Sequence, residues 1–177
     1  MLITNIIKNK LTNEQIDFIE QLQEYCDAEF RFYGSIERKD YFEGSSDIDI
    51  DVFTSNLHST VFKIRQFLST PNDNVQNILW STTKPTFSKF KCKKIKFKNN
   101  FIKLELGIYD IKYKIKLINV REYKRNIPYH GLVILFIIKL MFYKFNIIST
   151  SQLASCKKYL MGNILGMADD YNVIKKV

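Results

Sequence analysis

Residues 30–53 read FRFYGSIERKDYFEGSSDIDIDVF, and the last seven of them, Asp47 to Phe53, decide the fold. Asp47, Asp49 and Asp51 alternate with Ile48, Ile50 and Val52. On a strand this places three carboxylates on one face and three aliphatics on the other. Same-face neighbours then stand roughly 6.5–7 Å apart. Like charges in a row repel, and Asp is a poor strand former, so the pattern opposes local preference. Two readings resolve the conflict: a solvated acidic edge strand that resists aggregation, or a site where hard oxygen ligands meet a divalent cation.

The residues upstream favour the second. Gly34-Ser35 follows the aromatic strand candidate Phe30–Tyr33 and precedes a stretch, Ile36 to Phe42, able to form a helical turn or two. A glycine permits a tight strand-to-helix turn, and N–H groups at a helix start can hold phosphate with help from a hydroxyl. Eleven residues separate Ser35 from Asp47. The joined pattern resembles the signature of the polymerase-β-like nucleotidyltransferase superfamily: apolar-G-[GS], nine to thirteen residues, then D-apolar-[DE]-apolar. Tyr33-Gly34-Ser35 and Asp47-Ile48-Asp49-Ile50 match it position by position, and Arg38 and Gly44-Ser45-Ser46 have counterparts in it. Asp49/Asp51 is the competing pair, but Ser46 before Asp47 matches the frequent S-D-apolar-D order. Asp51 therefore reads as a neighbour.

The resemblance implies a third carboxylate on a later strand. Glu105 in Ile102–Ile108 is preferred, although Asp is more usual there; Asp110 competes, beside a turn. It further implies an α+β fold, a mixed or antiparallel sheet flanked by helices with more helices at the C-terminus. Asp47, Asp49 and Glu105 would hold two Mg²⁺ (or Mn²⁺) ions, and Gly34 and Ser35 would cradle the β- and γ-phosphates of an NTP. A cation or hydroxyl from the later helices would grip the triphosphate; Lys139 leads there, with Lys144, Lys157 and Tyr159 as alternatives. The implied activity is metal-dependent, template-independent transfer of a nucleoside monophosphate to a hydroxyl, an RNA 3′ end ahead of DNA, as in poly(A)-polymerase-like enzymes. A catalytically silent subunit binding nucleic acid or protein, and an antitoxin-type enzyme modifying protein, are the alternatives. A protein partner or a homodimer is left open.

The remaining sequence sets the frame. Thr12-Asn13-Glu14-Gln15 has the form of a capping box, and Ile16, Ile19, Leu22 and Cys26 recur at helical spacing, which predicts a helix over 13–26. A short helix is expected over Val61–Leu68, then strands at 95–97, 101–108 and 113–118. Asn99-Asn100 would turn the first pair and a turn near Asp110 would separate the second. Helices follow at roughly 129–146 and 151–163. One nucleotidyltransferase core over 1–127 and a C-terminal helical segment over 128–177 are expected. Leu132–Ile148, cut by Lys139 and Lys144, is too short an apolar run for a membrane span and reads as a buried core helix.

Charge is the outlying property. The net charge is +9, yet residues 1–60 hold five basic and twelve acidic groups, while 84–125 hold fourteen basic and three acidic. A cleft handling cations on one side and polyanions on the other needs such a separation. Part of the Lys content follows from a composition rich in Ile, Lys and Asn that fits an AT-rich genome, such as that of a large DNA virus. Three widely spaced cysteines and two isolated histidines argue against a zinc site or disulfide framework, and the N-terminus does not read as a signal peptide. A reducing, cytoplasmic setting is expected.

Overall fold

The capping signal at Thr12 is realised as written. In the computed structural model, which describes residues 5–71, 74–167 and 169–174, Thr12 Oγ1 accepts from Gln15 N. The Gln15 side chain accepts from Thr12 N in return. A single turn, α1 (Asn5–Lys8), precedes this helix, α2 (Asn13–Cys26). β1 (Glu29–Tyr33) and β2 (Ile48–Thr54) follow, then α3 (Leu57–Phe67). α3 begins four residues before the expected helix because Asn56 caps it through Ser59 N.

β3 (Val75–Thr82), β4 (Ser88–Lys98) and β5 (Lys103–Asp110) complete the central run. Asn99 makes the β4–β5 turn: its side chain accepts from Phe101 N and Ile102 N. The expected strand at 113–118 is corrected. After one 3₁₀ turn (Ile111–Tyr113) the chain forms helix α4 (Lys114–Arg125), which buries Leu117 and Val120 and leaves Ile115 exposed. The alternation of Tyr113, Ile115 and Leu117 fits a strand over six residues, but the next buried positions recur at helical spacing.

α5 (Tyr129–Tyr143) and α6 (Thr150–Tyr159) lie close to expectation. A wide turn (Leu160–Ile164) leads to β6 (Asp169–Ile174), a strand the sequence did not signal, so the C-terminal segment is not wholly helical. α5 also departs from the expected buried core helix. Gly131, Leu135 and Lys139 are buried, but Val133, Ile134, Phe136 and Ile137 are exposed. The small cluster with Ile127, Leu160 and Met167 covers only one stripe of it. Among the described residues no single helix is long and apolar enough to cross a membrane.

The sheet order is β1-β2-β5-β4-β3-β6. β2 and β5 run parallel and every other pair antiparallel, a mixed sheet in an α+β fold. Ile48, Ile50 and Val52 with Leu104, Leu106 and Ile108 form one face, which α2 and α3 cover with Ile19, Leu22, Val61 and Ile64. That burial leaves the alternate residues of β2 and β5 on the opposite face. There α4 covers Phe53, Trp80, Phe90 and Tyr109 with Leu117 and Val120. The acidic row lies on this second face.

Candidate active site

Register brings the carboxylates together. Asp49 on β2 stands opposite Glu105 on β5, and Asp51 opposite Gly107. Asp47 is exposed, one residue before β2 begins. Asp110 pairs with Thr54 at the far end of the same ladder, five residues and about 16 Å from Glu105 by strand rise. It caps the turn before α4 through Lys112 N. Of the two candidates for a third carboxylate, Glu105 is the one at Asp49.

Tyr33 is the register partner of Asp49, so the turn after β1 comes directly against it. Gly34-Ser35 opens one 3₁₀ turn, Gly34–Glu37, shorter than the helix turns envisaged for 36–42. Gly34 adopts φ +79°, and a Cβ there would stand 2.5 Å from Asp49 Oδ2. Conformation and space both require glycine. Ser35 is buried just after it.

Three long-range cations pin the chain between the turn and Asp47. Lys10 Nζ donates to the carbonyls of Ile36 and Arg38, each at 2.7 Å. Lys103 Nζ donates to Ser45 O at 3.1 Å. Lys139, from α5, donates to Asp40 O at 2.7 Å and pairs with Asp40 Oδ2 at 2.9 Å. Arg38 forks onto the same Asp40 carboxylate. Burial alone would raise Asp40; Arg38 and Lys139 outweigh it and hold its carboxyl below the usual value. Burial pushes the Lys139 ammonium down to about 8 against the pull of Asp40. Lys139 is 2% exposed and bound to Asp40, which corrects its expected role: this cation fastens the loop from within and is not open to a triphosphate. α5 adds Phe136, stacked on Phe42, and Tyr143, hydrogen-bonded to Ser46.

The electrostatics separate the three carboxylates. Asp51, 1% exposed, receives a two-point ion pair from Arg121 of α4 at 2.8 and 2.9 Å. The Arg121 guanidinium lies 3.6 Å from the centre of the Tyr33 ring, with Trp80 beyond. Asp51 is thereby engaged in a buried ion pair. Glu105 contacts Lys94 and Lys96 of β4, the second at 2.9 Å. Burial opposes its ionisation, but the two ammonium groups prevail and hold the Glu105 carboxyl below its ordinary value. Asp49 differs: no hydrogen-bond donor among the described residues reaches it. Burial first, then the charges of Glu105 and Asp47, push it up to about 7. A half-buried carboxylate held against like charge with no donor is a group a cation would relieve.

A pocket of about 120 Å³ borders these groups, lined by Tyr33, Asp49, Trp80, Lys94, Glu105 and Arg121 among others. A larger cleft of about 900 Å³ lies along the outer β1 edge and includes none of the three carboxylates. Among the described residues no three His, Cys, Asp or Glu side chains are gathered tightly enough to form a ready metal site; the Glu105 oxygens face lysines instead. The donor chemistry nevertheless fits: hard oxygens from Asp47, Asp49 and Glu105, with burial and like charge on Asp49 outweighing the more distant Arg121 and Lys94.

A family model for the nucleotidyltransferase domain matches residues 13–130. The chain belongs to that family. The match spans α2 through the start of α5 and so includes the turn, the acidic strand and Glu105. The chain is a polymerase-β-like nucleotidyltransferase, as the pattern around Gly34 and Asp47 implied. A search of curated proteins finds no match. Among solved structures, a chain from the "structure of GLD-2/RNP-8 complex" is similar at 14% identity and a TM-score of 0.38. The similarity covers 89% of this chain and 59% of that one.

Sequence reasoning missed Lys10, Asp40, Lys94, Lys96 and Arg121. Their partners lie across strands or up to 99 residues along the chain. No local signal singles them out: Asp40 is one of three acidic residues, with Glu37 and Glu43, in a stretch with no assigned role.

Proposed function

We propose that this nucleotidyltransferase moves a nucleoside monophosphate from an NTP to a hydroxyl acceptor without a template, the acceptor being an RNA 3′ end ahead of a DNA end. The observation that carries this reading is Asp49: a carboxylate that no donor among the described residues reaches, in register with Glu105 and against the bare Cα of Gly34. In this reading Asp47, Asp49 and Glu105 hold two Mg²⁺ or Mn²⁺ ions, while Gly34 and Ser35 receive the β- and γ-phosphates. Bound metal would supply a lowered acceptor-hydroxyl pKa and neutralise charge on the leaving pyrophosphate. The chain's own part is positioning. The cations on Ile36, Arg38, Asp40 and Ser45 fix the phosphate turn relative to β2, and in-line attack on the α-phosphate depends on that alignment.

One observation favours a second reading, a silent binding subunit: Glu105 is already neutralised by lysines. Incubation with each α-labelled NTP, Mg²⁺ or Mn²⁺, and RNA, DNA or no acceptor separates the two. The proposal expects label on RNA that disappears with Asp49→Ala. No label on any acceptor supports the silent subunit, and label on protein supports the antitoxin-type branch.

A further inference from the structure

Glu105 does not stand alone beside Asp49, and what occupies it has a consequence for acceptor binding. Lys96 is the register partner of Glu105 on β4, so Asp49, Glu105 and Lys96 form one row across β2, β5 and β4. At about 4.8 Å per strand, Lys96 begins about 10 Å from Asp49. Lys94 stands opposite Gly107, and its ammonium reaches along the face to Glu105. The Lys94 side chain is 22% exposed, that of Lys96 64% and that of Glu105 15%. Lys96 is thus a solvated cation on the open side of a half-buried carboxylate, and water already competes for its ammonium. The tie is easily exchanged.

We propose that Lys94 and Lys96 hold Glu105 while no divalent cation is bound, and that they turn to the acceptor's terminal phosphodiester when Glu105 is given up to the cation. The inference rests on the metal-dependent reading above and names the acceptor contact within it. Two anionic ligands, Asp49 and Glu105, face each other across adjacent strands, and the lysines offset one of them while metal is absent. Once Glu105 has a stronger partner, two ammonium groups lose their direct ion-pair partner beside the reacting end. The triphosphate is assigned to Gly34 and Ser35 on the β1–β2 side, so the polyanion left for β4, on the other side of Glu105, is the strand that carries the attacking hydroxyl. Consecutive phosphates of an extended single strand are roughly as far apart as same-face residues of β4, so Lys96 can meet the phosphate next to that hydroxyl while Lys98 continues the track. Metal and acceptor binding are therefore coupled, and by linkage each strengthens the other equally.

The test measures Mn²⁺ binding by electron paramagnetic resonance and a fluorescein-labelled ten-nucleotide RNA by anisotropy, with and without Mn²⁺. Wild type, Lys96→Gln, Lys94→Gln/Lys96→Gln and, as a control from the opposite sheet face, Lys89→Gln are compared. Mn²⁺ should bind the double variant about fivefold more tightly than wild type, since competition for Glu105 is gone. In wild type Mn²⁺ should raise RNA affinity about fivefold or more; the double variant should lose most of that gain while Lys89→Gln keeps it. Lys96→Gln, at an exposed position, gives the same signs should the double variant fold poorly. Unchanged or weaker Mn²⁺ binding in the lysine variants, or an undiminished RNA gain, overturns the exchange. Mn²⁺ binding indifferent to Asp49→Asn overturns the metal reading and this inference with it.

Discussion

Gly34 carries two constraints that any side chain would violate: a φ of +79° and the Asp49 carboxylate 2.5 Å from where a Cβ would stand. Gly34→Ala should cost about 1–2 kcal/mol for the left-handed backbone alone, read by urea denaturation, and should displace Asp49, read as weakened Mn²⁺ binding. Asp40 lies within the same loop but serves stability. It sits between Arg38 and Lys139 with no solvent access to its side chain. Asp40→Ala should cost about 3–5 kcal/mol because it strands buried cations. Asp40→Leu/Lys139→Leu should recover most of that loss, read as a double-mutant cycle. The pH dependence follows from the sign of the Asp40 shift. Its folded value lies below the unfolded one, so its contribution is complete above the unfolded carboxylate range, about 4, and is lost as pH falls through the folded value. Thermal unfolding from pH 6 to pH 2 should show a steep acid limb that Asp40→Asn flattens.

At the scale of elements, the sequence discloses those that carry their own local signal. The capping box fixed α2 to the residue, the alternation of Asp and aliphatic residues marked β2, and Asn99 marked the β4–β5 turn. α4 and β6 were illegible for different reasons. Six residues of alternation around Ile115 satisfy a strand and a helix alike, and only the arrangement over Trp80 and Phe90 selects the helix face. β6 is defined by pairing with β3, some ninety residues earlier. Substitution distinguishes the two periods directly. A strand would put Ile115 and Leu117 on one face; α4 separates them. Ile115→Lys should change stability by less than about 0.5 kcal/mol, whereas Leu117→Ala should cost about 2–5 kcal/mol, both read by denaturant titration. The candidate site divides the same way: Gly34, Asp47, Asp49 and Glu105 were nominated by the family resemblance that their spacing and flanking residues carry, while Lys94 and Lys96 at Glu105 and Arg121 at Asp51 arrive through tertiary packing alone.

Across the whole molecule, the separation of charge in the sequence becomes a partial separation in space. The acidic front half supplies β2, and the basic middle supplies β4, two strands away in the sheet. β4 does not present all its lysines to the carboxylates. Lys94, Lys96 and Lys98 share a face with Glu105, whereas Lys89, Lys91 and Lys93 point the other way. Single-stranded RNA held by about three lysines should lose affinity with a log–log salt slope near −2, measured by anisotropy against KCl; a salt-independent affinity would contradict contact through these phosphates. The central claim concerns which phosphorus is attacked, and one pair of labels reads it. With Mn²⁺ and RNA, α-labelled NTP should place its label on the RNA while γ-labelled NTP gives labelled pyrophosphate, and Asp49→Asn should stop both. Absence of α-label from every acceptor, or transfer that persists in Asp49→Asn, would contradict the account.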